Sequence, residues 1–310
     1  MSFFLVTGGA GFIGSNIVET LLERGHKVRV LDNFSTGKRE NLEPFRNDVE
    51  IVEGDIRSYH IVHEAVRGTD FILHQAALPS VPRSIADPIT THEVNTNGTL
   101  NVLNAARDLG VKKVIFASSS SIYGNSEELP KKESMVPNPL SPYAVSKLTG
   151  EKYMQVFHKL YGLETISLRY FNVFGPRQDP ASQYSAVIPK FITAILNGNQ
   201  PVIFGDGLQS RDFTYVANVV DANLKACLSE QTGGEVLNIA CHERITLNQL
   251  VTLINRATEK DIEPVYSEPR LGDVKHSFAD IQRAKQVIGY RPGVSFSEGL
   301  ERTVEFYNGR

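Results

Sequence analysis

The amino-acid sequence predicts an α/β fold: a doubly wound parallel sheet with helices on both faces, joined to a smaller, discontinuous C-terminal domain. Three observations carry the prediction. The 310 residues leave room for two lobes at roughly 100–200 residues per domain. Short, wholly apolar runs alternate with helical periodicity through the first half, the pattern of strands buried on both faces. After Phe174-Gly175-Pro176 the units become shorter and less regular.

Along the chain, residues 3–7 form the first strand and 15–24 the first helix, with Ile17, Val18, Leu21 and Leu22 turned inward on one face. Strands follow at 28–31, 49–53, 70–75 and 114–118, and the clearest helix between them covers 96–109. Residues 143–161 form a long helix opened by Ser141-Pro142, because proline suits the first helical turn. The next strand is 164–172. A helix at 186–197, a turn at 197–199, a loop at 204–211 and helices at 244–257 and 296–307 are expected in the smaller lobe. The apolar run 236–240 reads as one more buried parallel strand, so the chain is expected to return to the first sheet. The domains then read as 1–173 with a returning segment at about 212–241, and 174–211 with 242–310.

Composition excludes several classes. Lysine and arginine total 32 against 35 acidic residues, a net charge of −3, so no basic surplus advertises nucleic acid or an acidic membrane as partner. An anionic ligand must be held by a few placed groups. Cys227 and Cys241 cannot staple the chain and lack metal-ligand spacing, which points to reduced thiols, no metal site and a cytoplasmic protein. The start of the chain has no basic segment and is soon broken by glycines, so no signal peptide is expected. No apolar run is long enough for a membrane span.

The segment TGGAGFIG at 7–14 leaves the first strand and opens the first helix. Gly8, Gly11 and Gly14 satisfy G-x-x-G-x-x-G, and Gly9, Gly11 and Gly14 satisfy G-x-G-x-x-G. Such glycines permit a tight turn and close backbone approach to a pyrophosphate, which the free amides of the helix start, around Phe12 and Ile13, can then bind. This makes the sheet Rossmann-type. Asp32 ends the second strand where a carboxylate binds adenosine ribose hydroxyls, and Asn33 follows it. No arginine stands beside Asp32 for a 2′-phosphate, so NAD is expected rather than NADP. Arg39 is read as a surface residue. Asp55 and Ile56, at the end of the third strand, fit the adenine end.

Tyr143 and Lys147 stand at i and i+4 on a helix, hence on one face. Alone, Y-x-x-x-K is a common spacing. Here it follows a strand ending in Ser118-Ser119-Ser120-Ser121. A cation beside a phenol lowers its pKa from about 10 towards the range of a general base, and a serine hydroxyl can bridge the phenol to a substrate alcohol.

With these residues in view, the chain resembles the extended short-chain dehydrogenase/reductases, in particular their nucleotide-sugar 4-epimerase branch, of the UDP-galactose and UDP-N-acetylglucosamine 4-epimerase type. The similarity spans nearly the whole chain: TGGAGFIG at 7–14, LDN at 31–33, GDI at 54–56, HQAA at 74–77, NTNGTLNVL at 95–103, SSSSIYG at 118–124, SPYAVSK at 141–147, LRYFNVFGP at 168–176, RDFTYV at 211–216 and RLGDV at 270–274.

The resemblance implies that Tyr143 is the base, that Lys147 holds the nicotinamide ribose and tunes the tyrosine, and that Ser119 is the catalytic serine, with Ser120 beside it. It places Ala76 and Ala77 along the cofactor, Asn95 near the active site as ligand or support, and Tyr170 beside the nicotinamide. It assigns Asn172, Arg211 and Arg270 to the substrate diphosphate and Asp273 to the uridine ribose. Guanidinium groups suit that task because their planar donors grip phosphate oxygens bidentately.

The related dehydratases carry an acidic pair just after the catalytic serine or threonine. Ser120 and Ser121 cannot do carboxylate work, which disfavours dehydration. Epimerisation needs only proton removal at O4 by Tyr143, hydride transfer at C4 to NAD and back, and rotation of the tethered ring about its diphosphate. The position expected to wall the sugar C2 substituent is Ser277; a small residue there resembles relatives that accept N-acetylated sugars. The resemblance thus implies UDP-GlcNAc/UDP-GalNAc interconversion, with UDP-Glc/UDP-Gal as well. The alternatives are a UDP-uronic acid 4-epimerase or decarboxylase, or a non-catalytic dinucleotide-binding scaffold. Relatives commonly dimerise through helices matching 96–109 and 143–161, which implies a homodimer.

Overall fold

A computed structural model describes residues 1–180, 186–230, 233–269 and 275–309. The strands are β1 (Phe3–Thr7), β2 (Lys27–Asp32), β3 (Val49–Glu53), β4 (Phe71–His74), β5 (Lys113–Ser119), β6 (Glu164–Tyr170), the short β7 (Val173–Phe174), β8 (Val202–Phe204), β9 (Ser210–Arg211) and β10 (Thr214–Tyr215), then β11 (Gly233–Ile239), β12 (Ile245–Thr246) and β13 (Val265–Ser267). The helices are α1 (Phe12–Glu23), α2 (Tyr59–Val66), α3 (Val81–Ala86), α4 (Pro88–His92), α5 (Gly98–Asp108), α6 (Pro142–Tyr161), α7 (Val187–Leu196), α8 (Val216–Leu228), α9 (Leu247–Thr258), α10 (Gln282–Ile288) and α11 (Phe296–Asn308).

Seven strands make the main sheet in the order β11-β6-β5-β4-β1-β2-β3, all neighbours parallel. Strand order reverses between β1 and β4, and the crevice at such a switch point is where open α/β sheets bind ligands. Side chains alternate between two cores. Leu5, Ile72, Val114 and Phe116 pack with Val62, Val102 and Met154 of α2, α5 and α6. Val6, Leu73, Ile115 and Ile166 pack with Ile17 of α1 and Val219 of α8. Burial of both faces explains why these strands read as unbroken apolar runs. The chain does return to the sheet: β11 pairs with β6, Val236 opposite Ser167.

Among the element boundaries that differ from expectation, three have a local cause. The helix expected at 96 starts earlier, since α4 runs through a wide π-type turn (Glu93–Asn97) into α5. Its start signals are Asp87, whose side chain accepts from the Thr90 amide at 3.0 Å, and Pro88 in the first turn. The strand expected to reach 172 ends at Tyr170, because Asn172 adopts φ +35°. The helix expected from 244 starts at Leu247. Ile245 and Thr246 instead pair antiparallel with Arg211 and Ser210, and Thr246 with Gln249 forms a capping box.

Candidate active site

A cleft of about 930 Å³ runs along the C-terminal ends of β1, β2, β4, β5 and β6. Gly8, Gly11, Phe12, Ile13 and Gly14 form one wall. Gly8 has φ +69°, and a Cβ there would lie 2.7 Å from the Ala76 nitrogen; one at Gly14 would lie 2.1 Å from the Gly8 oxygen. The loop is therefore pressed against itself and against β4's end, where only glycine fits.

Asp32, Asn33, Asp55 and Ile56 line the adenosine end. Asp32 Oδ2 accepts from the Ala10 amide at 2.9 Å and Oδ1 from Phe34 at 2.8 Å; burial raises its pKa against those two bonds. Asn33 Nδ2 donates to Asp55 Oδ2 at 2.9 Å, and the Arg57 guanidinium holds the Asp55 carboxyl below its usual range. Arg39 is engaged by Glu53 at 2.6 Å and stacks 3.9 Å over the Phe34 ring. Two further cations on the cleft, Lys38 and Arg57, pair with Asp179 at 3.2 Å and with Asp55 at 2.8 Å. A ribose diol facing Asp32 fits this charge balance.

At the other end, Ala76, Ala77, Ser118, Tyr143, Lys147 and Tyr170 line the cleft. The Tyr170 hydroxyl lies 3.2 Å from Gln75 Oε1 and accepts from Asn223 Nδ2 at 2.8 Å. Lys147 Nζ donates to the Ala117 carbonyl at 2.8 Å, sits 5.9 Å from the Tyr143 ring centre, and has its pKa pushed down to about 7 by burial. The Ser119 hydroxyl is close enough to the Tyr143 phenol to favour its ionised form, and its Oγ accepts from the Ser121 amide at 3.1 Å as the cap of a short helical turn. Ser120, half-buried, begins that turn.

Two expectations need correction. The Tyr143 phenol is raised, not lowered: burial pushes it up and the Ser119 bond only partly offsets this. Lys147 does not counter it, because its ammonium is itself desolvated by burial and points a hydrogen bond at the Ala117 carbonyl. Asn95 lies outside the cleft wall. Its Oδ1 accepts from the Leu78 amide at 2.7 Å and its Nδ2 donates to Ser146 Oγ at 3.1 Å, so it braces the Leu78–Ser80 edge of the cleft.

Of the residues expected to hold substrate, three meet around Ser210–Asp212. Asn172 Nδ2 donates to the Asp212 carbonyl at 3.2 Å. Arg211 Nη1 donates to the Ser210 and Lys275 carbonyls at 3.0 and 3.2 Å. The Ser277 amide donates to the Ser210 carbonyl at 3.0 Å. Arg270 and Asp273 lie outside the described residues. The sequence reading missed Arg177, Gln178 and Asp179, which line the cleft beside the glycine loop and its helix, Arg177 pairing with Glu19 of α1 and Asp179 with Lys38; the motif LRYFNVFGP ends directly before them. Among the described residues no cluster of three His, Cys, Asp or Glu could hold a metal, and no helix is long and apolar enough to cross a membrane.

Residues 4–240 match the NAD dependent epimerase/dehydratase family. The chain belongs to this family. Its cofactor, NAD, is the one the cleft accommodates. Among family members, the UDP-glucose 4-epimerase of Mycolicibacterium smegmatis is 40% identical over 99% of this chain and 98% of its own. The solved UDP-N-acetylglucosamine 4-epimerase of Methanobrevibacter ruminantium, in complex with UDP-N-acetylmuramic acid, superposes with a TM-score of 0.95 at 44% identity over 99% of this chain and 98% of its own. The Thermus thermophilus UDP-glucose 4-epimerase complex with NAD gives 0.90 at 40% identity over 99% of both chains.

Proposed function

We propose that the protein is an NAD-dependent UDP-sugar 4-epimerase acting on UDP-GlcNAc/UDP-GalNAc and on UDP-Glc/UDP-Gal. The observation that carries this reading is Tyr143, close to the Ser119 hydroxyl and above Lys147, at the end of a cleft built for a dinucleotide. NAD, when bound there, accepts and returns the hydride at C4. The protein's own part is proton traffic and placement. Tyr143 takes the O4 proton and gives it back, with the Ser119 hydroxyl bridging phenol and sugar. Lys147, anchored to the Ala117 carbonyl beneath the phenol, is placed to hold the nicotinamide ribose. Asn172 and Arg211 hold the diphosphate while the ring turns over, so a firm anchor is joined to a loose sugar pocket.

The domain division supports the same reading: residues 1–173 with about 212–241 hold the cofactor, while 174–211 and 242–310 hold the nucleotide sugar. The serine at 277 favours room for an N-acetyl group. A homodimer is supported by the outer face of α6, where Val145, Val156 and Leu160 are exposed at spacings that share one helical face. The deciding experiment mixes purified protein with UDP-GlcNAc, UDP-glucose or UDP-glucuronic acid and separates the products. C4 epimers from the first two support the reading. Turnover of UDP-glucuronic acid alone, or a pentose product, replaces it with the uronic acid alternative.

A further inference from the structure

Helix α6 meets β5 through three polar contacts on one face. Tyr143, Lys147 and Glu151 follow at intervals of four residues, so they stack along the helix. Tyr143 faces the Ser119 hydroxyl, Lys147 bonds the Ala117 carbonyl at 2.8 Å, and Glu151 Oε1 accepts from the Ser118 hydroxyl at 2.6 Å. Three successive residues of β5 thus each hold one side chain of α6. The third contact is fixed from a second strand. Arg169 of β6, the cross-strand partner of Ser118, donates Nε to Glu151 Oε1 and Nη2 to Oε2, both at 2.8 Å. The two side chains are only 2% and 4% exposed, so neither is a solvated surface group. The Arg169 guanidinium lies 4.7 Å over the Tyr123 ring, whose hydroxyl donates to Asn238 Oδ1 at 2.7 Å.

Neither Glu151 nor Arg169 lines the cleft. Their geometry does something that apolar packing cannot. Burial is non-directional, whereas a bidentate guanidinium–carboxylate pair accepts one orientation. Sliding α6 by a single residue, about 1.5 Å, would break both bonds. The helix also sits very close to the strand: a Cβ at Gly150 would lie 2.4 Å from Phe116 Cζ.

We infer that Glu151 and Arg169 are positioning residues that set the axial register and rotation of α6 on β5, and so hold Tyr143 against Ser119. The inference rests on the proposed role of Tyr143 and Ser119 in proton transfer. Truncating Glu151 alone would strand a buried cation and unfold the chain, so the test replaces both partners. E151L/R169M removes the pair with little change in volume. E151Q/R169M restores only an acceptor for Ser118. Thermal midpoint, bound NAD per chain, kcat and KM for UDP-glucose are measured beside wild type. Alkaline titration of Tyr143 is followed as the ultraviolet difference from the matching Y143F protein.

The expected result for E151L/R169M is a folded chain with wild-type NAD content, KM within about twofold and kcat down about 100-fold, the cost of a displacement near 1 Å. The Tyr143 titration should move upward as the Ser119 bond weakens. E151Q/R169M should recover at least about tenfold of the lost kcat and restore the titration. An unchanged kcat and titration in E151L/R169M overturn the inference, as does a loss of kcat matched by an equal loss of folded, NAD-loaded protein. If E151L/R169M does not fold, S118A decides: an upward Tyr143 titration supports the inference and an unchanged one overturns it. A wild-type protein inactive on UDP-sugars overturns the functional reading instead, and the titration still decides the positioning role.

Discussion

Tyr143 and Lys147 are both buried against the sheet, and burial drives their pKa values apart, the phenol up and the ammonium down to about 7. Their spacing was legible in the sequence because an i, i+4 pair shares a helix face. The direction of the Tyr143 shift was not, because desolvation depends on what the fold stacks around the ring. Y143F should lower kcat about 100- to 10,000-fold with NAD content unchanged, measured by product separation and by absorbance of released nucleotide. Lys147 also carries a stability signature. Its folded value of about 7 lies below its ordinary 10.5, so between those values the unfolded chain binds the extra proton and stability rises with pH. In NAD-free protein, K147M should raise the thermal midpoint by about 2 °C or more below pH 7, and the difference should fade as pH approaches 10.5; a difference independent of pH would contradict this origin. Ser277 belongs to the same scale. S277Y should abolish N-acetylhexosamine turnover while sparing plain hexose turnover, and equal loss on both would remove its gating role.

At the scale of elements, strands were readable where both faces are apolar, as in Phe3–Thr7, which matches expectation residue for residue; the edge strand Val49–Glu53 matches as well, although three of its five residues are exposed. Helix starts were readable from caps, as at Ser141, whose hydroxyl accepts from the Ala144 amide at 3.2 Å. Ends set by distant pairing were not. Ile245 and Thr246 belong to a strand only because Ser210 and Arg211 lie beside them. Likewise α8 was not anticipated, although it fills the crossover between β6 and β11. The glycine loop is an element whose sequence permits little else. In G14A the new Cβ would stand 2.1 Å from the Gly8 oxygen, so the loop must open and NAD should be absent from purified protein. Retention of stoichiometric NAD by G14A would show that the loop can relax. Thr246→Ala should cost about 1 kcal/mol of stability, read by chemical denaturation, with epimerase turnover per folded chain unchanged.

For the whole molecule, a net charge of −3 leaves anion capture to local groups, and the fold supplies them at the C-terminal edge of the sheet. Helix-start amides stand at one end, while Asn172, Arg211 and Ser277 gather around Ser210–Asp212 at the other. The exposed apolar face of α6 predicts self-association: L160D should convert a dimer to a monomer in light scattering, and an unchanged mass would place the interface elsewhere. The sequence by itself determined the Rossmann-type sheet, the glycine loop with Asp32 and the Tyr143–Lys147 pair, because each depends on short-range rules: apolar runs, the space a missing Cβ leaves, and helical periodicity. Only the tertiary structure decided that Glu53 takes Arg39, that Asn95 braces Leu78 instead of facing the cleft, and that Arg169 locks Glu151 beneath the reacting residues. Those outcomes join residues 14, 17 and 18 positions apart in the chain, beyond the reach of helical or strand periodicity, and their partners exist only once the elements are side by side.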